Sequence, residues 1–391
     1  MADTSFNTLA VHAGVDASEH FGAVSTPIYP ASIFAFEDAD EGAAIHNELK
    51  PGYYYGRLGN PTTEALERTI AELENGVAAL AFASGMAAIS ASILTFVKPG
   101  DEIVAPRSMY ATTTKLFAFL EERFDITTTF VDALNAENYA AAATSNTKIF
   151  WIETPSNPVV QITDISAVTA AAKAAGILTI ADNTFATPYN QRPIELGVDI
   201  VAHSATKYLG GHSDLTAGLL ISNKERITAI RDTAVRLFGG NIAPQVAWLV
   251  MRGIKTLALR MESHNQNASE LAAFLATHPK VRAVHYPGLP DHPNHEIAER
   301  QMHGFGGMIG LDVGTVEAGK TFVNSLKLAT LATSLGGVET IVQHSASMTH
   351  AAIPAEVRRA AGISDGLIRV SVGIEDIADL KTDFESALSK I

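Results

Sequence analysis

Cysteine is absent from the 391 residues. That excludes disulfides, thiolate nucleophiles and zinc sites built on sulfur. No apolar window approaches the roughly 18 unbroken residues of a membrane-crossing helix, so no membrane association is expected. The first residues, Met1-Ala2-Asp3-Thr4-Ser5, lack a basic region followed by an apolar one. No secretory signal is therefore visible, and a cytoplasmic protein is expected. Basic blocks are missing too. With 28 Lys and Arg against 42 Asp and Glu the net charge is −14, which argues against nucleic acid as a main partner because nothing is present to neutralise phosphates. Short-period repeats and low-complexity tracts are also lacking.

What is present is an ordinary globular composition, 47% apolar and 18% charged, in a chain long enough for two domains or more. Residues 1–58 read as irregular, since the two prolines of Ser25-Thr26-Pro27-Ile28-Tyr29-Pro30 exclude a central strand. An arm of this kind can pack on a second subunit. From Asn60, a good N-cap, with Pro61 at the first helical position, the pattern becomes regular. Leu66, Ile70 and Leu73 share one helix face. Apolar runs then alternate with helical stretches: 78–82, 102–105, 126–131, 149–152, 178–181, 198–202 and 216–222 read as strands. Such alternation predicts an α/β fold with a mostly parallel sheet covered on both faces. A long helical pattern runs from about Gly253 to His278, and short strands at 281–285, 308–313 and 367–372 follow without alternation. The expected organisation is an arm over 1–58, a large domain over 59–253, and a smaller carboxyl-terminal α+β domain over 254–391.

The candidate site residues fall where strands end. Glu153, Asn157, Asp182, Ser204 and Lys207 each follow a predicted strand, and in parallel sheets those ends gather over one crevice. Lys207 stands in His203-Ser204-Ala205-Thr206-Lys207-Tyr208-Leu209-Gly210-Gly211. A partly desolvated lysine there can act as an amine nucleophile and carry pyridoxal phosphate as a Schiff base. On spacing alone it is equally a lysine at a strand terminus. Ala83-Ser84-Gly85-Met86, between a strand and a small-residue helix, is a phosphate-binding arrangement, because free N–H groups at the helix start face an anion. Many strand–helix turns contain Ser-Gly for no such reason. His285, His292, His295 and His303 cluster in sequence, but their spacing fits no single helical face and Pro293 interrupts it, so no metal site is expected.

These stretches together resemble the Cys/Met-metabolism family of pyridoxal-phosphate enzymes, which includes methionine γ-lyase, cystathionine γ-lyase, cystathionine γ-synthase and the homoserine-ester sulfhydrylases. The resemblance covers nearly the whole chain. It rests on Tyr55-Gly56-Arg57 with Gly59-Asn60-Pro61-Thr62, Ser84-Gly85-Met86, Asp182-Asn183-Thr184, Ser204-Ala205-Thr206-Lys207-Tyr208, Ser334-Leu335-Gly336 and Arg369-Val370-Ser371-Val372-Gly373. It implies the type I aminotransferase-like fold, pyridoxal 5'-phosphate as cofactor, and a homotetramer built as a dimer of dimers. By the same resemblance Lys207 carries the cofactor and moves protons, and Asp182 pairs with the pyridine nitrogen. Gly85, Met86, Ser204 and Thr206 hold the phosphate, with Tyr55 and Arg57 reaching it from a neighbouring subunit. Tyr110 stacks on the ring and serves as an acid or base. Arg369 clamps the substrate α-carboxylate, supported by Asn157 and Ser334. Glu153 is read either as a residue near the cofactor or as a structural one.

The chain departs from the family's patterns at the distal end of the pocket. Thr333 stands where cystathionine enzymes carry glutamate, and Lys115 where they carry arginine. Thr112 replaces the cysteine of methionine γ-lyases, and Val235-Arg236 stands near their Lys-Asp pair. Lys115, Arg236 and Thr333 are thus the candidates for an altered distal pocket, although Lys115 and Arg236 also read as a solvated helix face. The expected function is γ-elimination on an L-amino acid with a heteroatom leaving group on Cγ, such as methionine, a homoserine ester or canavanine. The alternatives are a γ-replacement synthase on the same residues, or a cofactor-binding regulator without turnover.

Overall fold

The computed structural model describes residues 4–349, 351, 354–360 and 362–391. Residues 4–58 are more ordered than their sequence implied. They contain helices α1 (Phe6–His12) and α2 (Ala39–His46). Helix α3 (Pro61–Leu73) follows, with the Asn60 side chain accepting from the Thr62 N–H and Leu66, Ile70 and Leu73 fully buried.

Seven strands form the first sheet: β1 (Ala78–Phe82), β2 (Glu102–Pro106), β3 (Thr127–Val131), β4 (Thr147–Glu153), β5 (Leu178–Asp182), β6 (Ile200–Ser204) and β7 (Gly218–Ser222). Their spatial order is β1-β7-β6-β5-β4-β2-β3. Strand β7 runs antiparallel to both of its neighbours, and the other pairs are parallel. This is the expected mostly parallel α/β sheet. Along β4, Ile149 and Trp151 face one core while Phe150 and Ile152 face the other. Because both faces are covered, the strand reads as one apolar run. Between strands lie α4 (Gly85–Leu94), α5 (Ala111–Phe124), α6 (Glu137–Ala142) and α7 (Ile165–Ala175). Asp164 caps α7 by accepting from the Ala167 N–H, and Gly176 ends it at φ +67°.

The long helical pattern expected from about Gly253 to His278 is the helix Leu257–Ala276, and a separate helix, Pro244–Ile254, precedes it. The break between them has a packing cause. A Cβ on Gly253 would lie 2.4 Å from the Gly210 carbonyl oxygen, so the first helix ends pressed against the segment that follows Lys207. Arg260, one turn into the second helix, donates to the Gly253 and Tyr208 carbonyls at 2.7 and 2.6 Å.

The second sheet contains β8 (Ala283–His285), β9 (Met308–Asp312), β10 (Thr330–Leu331), β11 (Ile341–His344) and β12 (Leu367–Ser371), in the order β10-β11-β12-β9-β8. All pairings are antiparallel except β10 with β11. Strands β10 and β11 have no counterpart in the sequence reading, because two and four residues are too few to show a period. Its core, around Phe322, Ile368, Val370 and Phe384, is separate from those of the first sheet.

Candidate active site

The carboxyl ends of β4, β5 and β6 lie side by side, with Glu153 opposite Asp182 and Asp182 opposite Ala202 in register. Over this edge opens a cavity of about 430 Å³. Its lining includes Gly85, Met86, Tyr110, Asn157, Asp182, Ser204, Thr206 and Lys207 from the first sheet's connections. The second sheet's half of the chain adds Thr333, Ser334 and Arg369.

The two halves meet at Ser334. Lys207 donates its Nζ to Ser334 Oγ at 2.5 Å, and Arg369 donates to the Ser334 carbonyl at 2.6 Å. A second guanidinium nitrogen donates to Asn157 Oδ1 at 3.1 Å. Ser334 sits in the left-handed region at φ +77°, unusual for a residue with a side chain. Two residues on, Gly336 at φ +74° has no room for a Cβ, which would lie 2.6 Å from the Tyr208 nitrogen. The segment can pass that close to Lys207 and Tyr208 only as glycine.

Burial sets the electrostatics. Lys207 is pushed down to about 8, chiefly by burial and then by the Arg369 cation, with Asp182 acting in the opposite sense. Its amine is therefore available as a nucleophile and base near neutral pH. Burial raises Asp182; hydrogen bonds from Thr184 and the charges of His203 and Lys207 oppose that rise. Burial, then the neighbouring Asp182, raises Glu153. Behind these strand ends, Glu74 Oε1 accepts from His203 Nε2 at 2.6 Å and from Asn183 Nδ2 at 2.9 Å, inside the core. That bond set ties the ends of β5 and β6 to helix α3.

The other end of the cavity suits a phosphate. Helix α4 starts there, with the Ser84 hydroxyl accepting from the Ala87 N–H. The N–H groups of Gly85 and Met86 have no acceptor among the described residues. A Cβ on Gly85 would lie 2.8 Å from Ser204 Cβ, so only glycine lets the helix start approach the residue ahead of Lys207. These groups fit pyridoxal phosphate: an amine of lowered pKa, a carboxylate on the adjacent strand, and free N–H donors for the anion. No arginine lines this end among the described residues.

Tyr55, Arg57 and Arg236 lie outside the cavity. The Arg57 guanidinium donates to the Arg236 carbonyl at 2.6 Å and lies 5.6 Å from the ring of the exposed Tyr55. The Arg236 side chain pairs with Asp232 at 3.2 Å. The structure thus does not bring Arg236 to the distal pocket of its own chain. Its segment, Arg231–Phe238, is a π-helix, which shifts the face each side chain takes. Lys115 and Thr333 do line the cavity, and so does Thr112. Sequence reasoning missed Gln343, which lies opposite Arg369 in register, also lines the cavity, and has an amide oxygen without a partner among the described residues. The signal was a polar residue inside a short buried strand, visible only once β11 is recognised.

Comparison with known proteins places this geometry. The family model described as "Cys/Met metabolism PLP-dependent enzyme" matches residues 7–389. An L-methionine γ-lyase of Fusobacterium nucleatum subsp. polymorphum is 47% identical over 98% of this chain and 98% of its own length. A cystathionine γ-lyase of Bacillus subtilis (strain 168) is 47% identical over 98% and 99%. Among solved structures, a cystathionine γ-synthase from Xanthomonas oryzae pv. oryzae, in complex with aminoacrylate and cysteine, superposes with a TM-score of 0.94. It is 40% identical and covers 100% of this chain and 99% of that one.

Proposed function

Because the chain belongs to the Cys/Met metabolism PLP-dependent enzymes, we propose that it is a γ-lyase acting on an L-amino acid with a heteroatom leaving group on Cγ. Methionine, homoserine esters and canavanine-like compounds are the substrate class. The observation that carries this reading is the Lys207–Ser334–Arg369 contact set, which puts a base of lowered pKa beside a carboxylate clamp. Pyridoxal phosphate, when bound, makes the substrate's Cα–H acidic by acting as an electron sink.

The chain's own groups do the rest. Arg369 holds the α-carboxylate through its guanidinium fork, oriented by Asn157 and the Ser334 carbonyl. Lys207 takes the proton from Cα and then assists removal of one from Cβ. Asp182 would hold the ring nitrogen of the bound cofactor, and Gly85, Met86, Ser204 and Thr206 would hold its phosphate. Tyr110 gives a proton to the departing γ-heteroatom. Lys115 and Thr333 face that leaving group. After loss of the γ-group, water releases a 2-oxo acid and ammonia.

A second reading, γ-replacement, keeps every role and differs in the fate of the substrate, which an added thiol or sulfide captures. The likeness to the synthase structure favours keeping it in view. The assembly we propose is a cytoplasmic homotetramer in which the arm over 1–58 completes a neighbour's site. Tyr55 and Arg57 stand outside their own cavity, whose phosphate end lacks an arginine, and this supports a composite site. Purified protein is incubated with methionine, O-acetylhomoserine, cystathionine and canavanine, with and without sulfide. 2-Oxobutanoate without sulfide is the expected product. Pyruvate from cystathionine marks attack at Cβ instead. Neither 2-oxobutanoate nor a γ-substituted product from any of the four refutes both readings.

A further inference from the structure

Glu153 closes β4 with its side chain buried, directly opposite Asp182 in the parallel register. Its two oxygens are committed to two different loops. Oε2 accepts from the Tyr110 N–H at 2.9 Å, and Oε1 accepts from the Asn157 N–H at 3.1 Å. Asn157 in turn accepts from Arg369 through Oδ1 at 3.1 Å. One carboxyl group therefore lies between the tyrosine at the start of α5 and the arginine of the second sheet.

Other buried acids of the chain are compensated differently. Glu67 pairs with Arg231 at 3.1 Å, and Glu74 meets His203 at 2.6 Å. Asp383 accepts three N–H groups from one short stretch, Lys327 to Ala329. Glu153 has no cation partner among the described residues, and the neighbouring Asp182 adds to burial in raising it. A residue serving stability alone has little reason to be an acid in that place. What only this side chain offers is two acceptors at the separation of the two loops.

We propose that Glu153 is a positioning residue whose carboxyl group fixes the spacing between Tyr110 and the Asn157–Arg369 pair, so that the two walls of the cavity are held as one unit. This rests on the roles given above to Tyr110 and Arg369. Removing the carboxyl group frees two buried N–H donors and lets the loops drift. Displacement of reacting groups by about 1 Å costs on the order of a hundredfold in rate. Glutamine has a single amide oxygen and turns an N–H toward the second donor, so it keeps one tether and loses the other.

The test uses the holoenzymes of wild type, Glu153→Ala, Glu153→Gln, Asn157→Ala and the double variant Glu153→Ala/Asn157→Ala. Cofactor content is read from the visible absorption band. KM and kcat are measured with the best substrate of the panel, and affinity for unreactive glycine from the change in that band. Glu153→Ala is expected to keep its cofactor while kcat/KM falls on the order of a hundredfold, with a rise in both KM and the glycine dissociation constant. Glu153→Gln should fall between it and wild type. The double variant should be no worse in KM than the worse single one, because both substitutions break the same linkage. Kinetic constants within twofold of wild type for Glu153→Gln overturn the proposal, and so do multiplicative effects in the double variant. If Glu153→Ala does not fold, the glutamine variant decides by the same criterion. A wild-type protein without a visible band, or without any γ-product, instead removes the functional reading itself, an outcome that no Glu153 variant can produce.

Discussion

Burial of Lys207 makes a quantitative prediction for the capture of cofactor by the cofactor-free protein. An ordinary lysine titrates at 10.5, and here the amine is brought down to about 8, first by burial and then by Arg369. Only the unprotonated amine attacks a carbonyl carbon. At pH 7 that form is about one-tenth of Lys207 but only about one part in 3,000 of an ordinary lysine, an advantage of roughly 300-fold. The second-order rate of capture is followed by stopped-flow absorbance from pH 6 to 10, with a free alkylamine measured in the same buffers for comparison. It is expected to rise about tenfold per pH unit below about 8 and to level off above it. Two neighbours move the break in opposite directions. Arg369→Gln removes a cation that disfavours the ammonium, so the break shifts up. Asp182→Asn removes an anion that favours it, so the break shifts down. A rate that keeps climbing past pH 9.5 in the wild type, or shifts of the same sign in both variants, refutes the account of a desolvated amine between these two charges.

Arg369→Lys keeps the charge but loses the fork that reaches Asn157, the Ser334 carbonyl and a carboxylate together. Loss of one charge-assisted hydrogen bond costs about 1.5–3 kcal/mol, so KM for methionine should rise between about tenfold and a hundredfold, with a smaller change in kcat, in steady-state assays of 2-oxobutanoate release. Arg57→Ala and Lys207→Ala should each be nearly inactive, yet an equimolar mixture allowed to exchange subunits should recover about a quarter of wild-type activity, because half of the dimers are hybrids with one intact site. A mixture that stays inactive after proven exchange refutes the composite site.

The first sheet was legible in the sequence because its strands are buried on both faces and its helices carry their own end signals. Asn60 with Pro61, and Asp164 with Gly176, mark helix boundaries through local chemistry alone. The second sheet was harder. Strands of two and four residues have no period, and Ile341–His344 is buried throughout although Gln343 and His344 are polar, so no apolar run marks it. The helix break at Lys255 depends on Gly253 meeting the Gly210 carbonyl, a contact between residues far apart in sequence. Helices α1 and α2 are short and lean on other elements, as Phe6 does on Tyr189, so composition pointed to irregular chain. In the site, residue types at strand ends could be read directly. Their partners across the two sheets could not. Arg236 shows the limit: its place in the sequence suggested the pocket, but its side chain pairs with Asp232 and its carbonyl accepts from Arg57.

Lys207 and Arg369 are also held from beneath the cavity, by one helix. Arg260 is buried and brought down to about 10, so it is still charged at neutral pH. It holds the carbonyls of Tyr208 and Gly253, and thereby anchors the segment after Lys207 to the helix Leu257–Ala276. One turn on, His264 donates its Nδ1–H to the Val372 carbonyl at 2.7 Å, just past the end of Arg369's strand, and its ring meets Tyr208 edge-on at 5.0 Å. Burial pushes His264 down to about 4, so it stays neutral and its bond to Val372 survives any change of pH around neutrality. The same helix thus grips the lysine segment of the first sheet through Arg260 and the arginine strand of the second through His264. Ser334, which touches both Lys207 and Arg369, sits in a left-handed conformation between these two anchored segments. The strain at Ser334 is sustained because the elements on either side of it are fixed elsewhere.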